Sequence, residues 1–283
     1  MDTTHIGLIG CGQWGTNIAK HLTDLGCKVY LHDENNEKAR ELAKSFGSLS
    51  NEGEILSLCD SVIIATTSTE HSKLINHYLD LGMNIYCVKP FCFDCVTGDK
   101  LLYSAKEKNL VLDCGYIYRE SDGYKMLNYL VNNQSLERIY FKFLNSKPAR
   151  TDSNIIFNIG IHYLDLIANI FGLPNKLTST FENNFGDIRL MYEKIDLDVD
   201  IFLANSTKVK SRCCFAIYNR GNGIEKIDFD INQKDILRAS LEKFLFRIKN
   251  KHVYSKYDDL FAIRLCELSE LSNKENGKTI DVM

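Results

Sequence analysis

Between residues 6 and 115 short apolar runs alternate with stretches whose apolar residues recur every three to four positions. IGLI (6–9), KVYLH (28–32), SVIIAT (61–66), NIYCV (84–88) and LVLDCG (110–115) read as strands. Residues 13–25, 35–46, about 70–81 and 94–108 read as helices. Strands and helices in strict alternation predict a doubly wound parallel sheet covered on both faces.

After residue 118 the rhythm changes. A helix over 121–133 leads to the run RIYFKFLN (138–145) and an apolar helix over 154–171. Four strand-like runs follow with no helix between them: KLTSTFEN, KIDLDVDIFLA, KVKSRCCFAIYN and GIEKIDFDIN. In DLDVDIF (196–202) acids alternate with apolar residues, the pattern of an antiparallel sheet with one solvated face. Helices at about 234–250 and 257–272 end the chain. The expected architecture is α/β plus α+β: a doubly wound parallel-sheet domain at 1–117, then a domain at 118–283 with a largely antiparallel open sheet and helices.

Composition excludes several classes. The chain has 283 residues, 45% hydrophobic and 25% charged, as expected of a globular protein. A net charge of −3 argues against a nucleic-acid partner, which favours a basic excess. No long apolar run marks a membrane segment, and MDTTHIGLIG lacks the pattern of a secretion signal, so a cytoplasmic location is expected. The ten cysteines are scattered and read as reduced core thiols. Cys92 and Cys95 form one CxxC, but no second pair stands at zinc spacing, so no metal site is expected.

IGLIGCGQWG places Gly10, Gly12 and Gly15 in a G-x-G-x-x-G turn between the first strand and the first helix. Glycine permits the tight turn, lets a pyrophosphate approach the main chain, and lets helix pack on strand. The helix N-terminus adds N–H donors and a positive dipole end, worth up to about 2 kcal/mol for a well-placed anion. Asp33 ends the second strand, where a carboxylate accepts from both ribose hydroxyls. The alternative is a tight turn with an incidental acid. In this setting the turn, with Gln13 and Trp14 inside it, predicts a dinucleotide site; Asp33 favours NAD over NADP because it repels a 2′-phosphate.

Two further segments carry a family resemblance. ATTSTEH (65–71), followed by Val88-Lys89-Pro90, resembles the glucose–fructose oxidoreductase/inositol dehydrogenase/MocA family, as do Tyr118-Arg119 and the strand-rich second half. IIFNIGIHYLDLIANIFG (155–172) resembles the family's histidine helix, with Asn158, His162 and Asp165 on one face by helical spacing. A lone helical histidine is otherwise most simply a hydrogen-bonded core residue. Two positions depart from the pattern: Val88 stands where a glutamate is usual, and Asn158 where an aspartate is usual. FNIGIH also looks like the nucleotide-sugar branch, such as the UDP-2-acetamido-2-deoxyglucuronate dehydrogenases. The loop SKPARTDSN before it lacks the branch's usual glycine pair.

The resemblance implies an NAD-dependent oxidoreductase acting on the CH–OH group of a sugar or nucleotide sugar. It assigns Lys89 and His162 as catalytic, with Lys89 also beside the nicotinamide. Asn158, Asp165, Tyr118 and Arg119 are expected to touch substrate, an ion pair between domains being the alternative for Arg119. Thr66, Thr67 and His71 are expected to line the cofactor, with helix capping the alternative for His71. A homodimer or homotetramer built through the second sheet is implied. Two readings compete: a cofactor-binding scaffold without turnover, and a reductase of a non-sugar compound such as a dihydrodiol, imine or tetrapyrrole.

Overall fold

A computed structural model describes residues 3–218, 221–230, 235–251 and 259–282. The chain divides into two compact units, Met1–Ile117 with Leu237–Tyr257, and Tyr118–Ile236 with Asp258–Met283.

The first unit runs β1 (His5–Ile9), α1 (Gln13–Asp24), β2 (Lys28–His32), α2 (Asn36–Ala43), β3 (Ser48–Leu49), α3 (Glu52–Leu58), β4 (Ser61–Ile64), α4 (His71–Asp80), β5 (Asn84–Val88), α5 (Cys95–Glu107) and β6 (Leu112–Gly115). Its six strands are parallel, in the order β3-β2-β1-β4-β5-β6. That is the doubly wound order with a switch point between β1 and β4. The elements β3 and α3 were not expected. β3 has two exposed residues and no alternation to betray it. α3 announces itself only through a capping box, in which Asn51 and Glu54 exchange hydrogen bonds with each other's backbone N–H.

The second unit begins with α6 (Asp122–Asn133) and β7 (Leu136–Leu144). A helix then starts at Ile155, widens to a π-helix over Ile156–Gly160, and continues as α7 (Ile161–Phe171). β8 (Lys176–Phe181), β9 (Phe185–Tyr192), β10 (Leu197–Ala204), β11 (Ser211–Tyr218) and β12 (Gly223–Asp228) follow. After α8 (Ile236–Lys249) come α9 (Asp259–Lys274) and β13 (Ile280–Asp281). The seven strands lie in the order β12-β11-β7-β10-β9-β8-β13; β7 and β10 run parallel and every other neighbouring pair antiparallel. Alternation sorts this sheet cleanly. Ile139, Phe141, Ile188, Ile201 and Cys214 are buried on one face. On the other, Asp198 and Asp200 meet Arg138, and Asp200 also meets Arg189. Residues 219, 231, 232, 234, 257 and 258 of the predicted runs lie outside the described residues.

The expectation that everything after 118 belongs to the second domain needs correction at α8. Leu237, Leu241 and Phe244 sit in one cluster with Ile6, Leu8, Val29, Ile63 and Tyr86 of the first unit. Tyr86 reaches Ser240, hydroxyl to hydroxyl, at 3.0 Å, and Arg247 pairs with Asp113. An amphipathic helix goes where an uncovered apolar sheet face awaits it, and order along the chain does not reveal which sheet that is. Among the described residues no helix is long and apolar enough to cross a membrane.

Candidate active site

Parallel strands end at the same edge, so the residues following β1, β2, β4 and β5 converge there. Gly10 follows β1 with φ +98°, and a Cβ there would lie 2.7 Å from the Ala65 carbonyl group and 2.8 Å from Thr66 N. The turn after β1 and the exit of β4 are therefore in backbone contact. A Cβ on Gly15 would stand 2.0 Å from the Gly10 oxygen, which explains the third glycine as helix-to-turn packing. Around Gly12 a Cβ would meet nothing within 4 Å. Gly12 thus keeps open the approach to the N-terminus of α1, as main-chain contact with a pyrophosphate requires.

Asp33 lies just beyond β2, with one carboxylate oxygen accepting from Cys11 N at 2.7 Å and the other from Asn35 N at 2.8 Å. These bonds aim the carboxylate at the glycine turn, and two oxygens retain lone pairs for ribose hydroxyls. Burial, with Asp33 adding to it, pushes the Cys11 thiol up to about 12, so the turn's cysteine stays protonated. Gln13 and Trp14 are exposed at the start of α1. The glycine cradle and the oriented acid fit a dinucleotide.

Lys89 follows β5 at this edge and is half-buried; its peptide to Pro90 is cis. Val88, in place of the usual glutamate, packs against the core cluster, so no carboxylate stands at that position. His71 is buried at the start of α4. Its Nδ1 is 2.7 Å from the Pro90 oxygen and its Nε2 3.2 Å from the Thr66 oxygen. The ring thereby joins the exits of β4 and β5 through their backbones. Thr66 is partly exposed and Thr67 exposed; the Thr66 hydroxyl donates to the Thr67 oxygen at 3.4 Å.

In the second unit the helix over 155–171 starts at Asn154, whose side-chain oxygen accepts from Ile156 N and Phe157 N and whose amide donates to Glu270. Gly160, within the π-helical turn, admits Leu203: a Cβ would meet its Cδ1 at 2.8 Å. Such wide turns recur at functional sites. Asn158, His162 and Asp165 are all buried. The His162 ring stands edge-on to Tyr118 at 4.7 Å and stacks on Phe143 at 6.1 Å and 12°. Burial pushes the Tyr118 phenol up to about 12, against an opposing pull from Arg212, so it is a neutral group at physiological pH.

Arg119 and Asp165 face each other. Arg119 Nε reaches the two Asp165 oxygens at 2.9 and 3.1 Å, and Nη1 lies 2.8 Å from Asp259. All three belong to the second unit, so this ion pair is internal and does not bridge domains. With two carboxylates around it, Arg119 is poorly suited to hold a substrate anion. Sequence reasoning missed Phe143 and Arg212 in this cluster. Arg212 pairs across strands with Phe143, on the helix-facing side of the sheet. The period-2 pattern of SRCCFAIY put Arg212 on the face of Cys214 and Ala216, but only the pairing of β11 with β7 carries it to His162's neighbours.

Residues 4–116 match the GFO_IDH_MocA family, an oxidoreductase family with an NAD-binding Rossmann fold. UDP-N-acetylglucosamine 3-dehydrogenase of Acidithiobacillus ferrooxidans is 28% identical over 171 residues, 59% of this chain and 54% of that protein. The match to scyllo-inositol 2-dehydrogenase (NADP(+)) IolW of Bacillus subtilis is 22% over 264 residues, 84% of this chain and 73% of that one. For most of the curated relatives it matches, the chain spans about half their length. Among solved structures, GenD2 from gentamicin A biosynthesis in complex with NAD superposes with a TM-score of 0.88 at 14% identity, covering 100% of this chain and 97% of that one. The likeness to the Gfo/Idh/MocA oxidoreductases thus rests on residues 4–116, which match that family's NAD-binding Rossmann fold.

Proposed function

We propose that the chain is an NAD-linked dehydrogenase that interconverts a ring hydroxyl and a ketone on a sugar or nucleotide sugar, in the supply of sugars for surface polysaccharides. The observation that carries the reading is the shared carboxyl edge, where the open Gly12 cradle, the oriented Asp33 carboxylate and Lys89 follow parallel strands of one sheet. The 28% likeness to a UDP-N-acetylglucosamine 3-dehydrogenase supports a nucleotide sugar.

The glycine turn and the N-terminus of α1 hold the diphosphate, and Asp33 takes the adenosine ribose. Gln13, Trp14, Thr66 and Thr67 border the site, while His71 fixes the backbone from which Lys89 projects. A nicotinamide held there would supply the hydride acceptor for the substrate carbon. His162 takes the hydroxyl proton, and the Lys89 ammonium stabilises negative charge developing on the oxygen. Tyr118, protonated below about pH 12, supplies a neutral edge for the imidazole. Asp165 holds Arg119 and so anchors the helix that bears His162 and Asn158.

Absorbance of reduced nicotinamide tests this with NAD, NADP and a panel of UDP-sugars, dTDP-sugars, free sugars and inositols. NAD is expected to outperform NADP. His162→Asn and Lys89→Met are each expected to lower kcat by a factor of about 10² to 10⁴, with NADH binding kept. Equal rates in wild type and both variants end the assignment. A second reading, cofactor binding without turnover, draws on Val88 and Asn158, which leave two acidic positions uncharged; NADH binding with silence across the panel is its signature.

A further inference from the structure

We propose that Arg212 forms an anion subsite beside His162, so that the substrate carries a carboxylate or phosphate group; this rests on the dehydrogenase reading above. The side chain stands out by its position. Along its row of the second sheet the partners are Phe143, Leu203, Gly186 and Phe181, all on the face that packs against the helix of His162. A guanidinium on an apolar face needs a reason.

Its surroundings supply only part of one. The Arg212 Cζ lies 5.0 Å from the Phe143 ring centroid and 6.0 Å from that of Tyr118, so the guanidinium and the His162 imidazole flank the same two rings. The Tyr118 phenol also hydrogen-bonds Arg212, while an aromatic face holds a guanidinium by its plane and leaves its other N–H groups for a ligand. Nη1 is 3.3 Å from Asp230, but Lys210 lies 3.2 Å from the same oxygen, so one carboxylate faces two cations and a positive charge is left over. Among the described residues the buried Nε–H has no acceptor. A buried donor of this kind calls for an unseen partner. The side chain is 20% exposed, so the cation is reachable. Arg119, on the segment after Tyr118, is taken by Asp165 and Asp259.

Carboxylates and phosphates match a guanidinium edge equally well, and the experiment separates them. Isothermal titration of the NADH-loaded protein is run with glucose, glucuronate, UDP-glucose and UDP-glucuronate, on wild type, Arg212→Lys and Arg212→Gln. Wild type is expected to bind at least one charged ligand tenfold or more tightly than glucose. Arg212→Gln is expected to abolish that advantage with glucose affinity unchanged, and Arg212→Lys to keep part of it. Loss on glucuronate identifies a carboxylate subsite; loss confined to the UDP-sugars identifies a diphosphate subsite. Should Arg212→Gln fail to fold, Arg212→Lys and competition by inorganic pyrophosphate on wild type give the same reading. Equal affinity for charged and neutral sugars, or a parallel loss of both in the variants, overturns the subsite. Charge-selective binding without reduction of NAD by any ligand would leave the subsite standing and sink the dehydrogenase.

Discussion

Gly12 and Gly15 occupy one turn for opposite reasons. An added methyl on Gly15 strikes the Gly10 carbonyl, whereas one on Gly12 enters open space. Gly15→Ala should therefore destabilise the first unit, while Gly12→Ala should melt like wild type yet bind NADH at least about tenfold more weakly, because only the ligand's approach is blocked. Thermal melts and NADH fluorescence separate the two. Asp165 makes a different case. It is buried and holds Arg119, so Asp165→Ala leaves that cation with Asp259 alone and should lower the urea midpoint of the second unit. The glycine turn and Asp33 were legible in the sequence because their roles depend on local spacing. Arg212 was not, since its neighbours come from β7 and from the Tyr118 segment, far away along the chain.

At the scale of elements, α8 covers the first sheet although it follows the strands of the second. Leu241 is fully buried there, and Leu241→Ala should cost about 2–5 kcal/mol, read as earlier unfolding of the first unit. The long apolar helix over 155–171 depends on its cap: Asn154→Ala should remove about 1 kcal/mol by freeing two backbone N–H groups. Most strands and helices were readable from periodicity, to within a residue or three at their ends. β9 was not. Its inward position 186 is a glycine, because a Cβ there would meet the Phe181 Cβ at 2.8 Å, and this shortens the visible alternation to Ile188, Leu190 and Tyr192. The π-helical turn has no signature in spacing, and the destination of α8 is settled by an empty sheet face instead of by its own pattern.

For the whole molecule, buried acids set the alkaline limit. Burial raises Cys11 and Cys59 from 9.0 to about 12 and Tyr118 from 10.0 to about 12. Below pH 9 these groups are protonated folded or unfolded and add no pH dependence. Above it the unfolded chain sheds protons that the native state keeps, so stability falls as pH rises towards 12, by up to about 1.4 kcal/mol per pH unit for each group. Urea midpoints across that range check the sign. The outward face of the second sheet, with Tyr140 40%, Phe185 47% and Ile224 65% exposed beside its ion pairs, is the surface we expect copies of the chain to share. Light scattering should give a multiple of 32.4 kDa, reduced by Ile224→Asp.

The return of α8 also governs when the protein can mature. A ribosome releases every strand of the first sheet more than a hundred residues before Leu237, Leu241 and Phe244 emerge. Until then the nascent first unit lacks the three apolar side chains with which α8 completes its core cluster. It is a natural client for chaperones, and a premature stop anywhere before α8 would yield a sticky fragment in place of a working half.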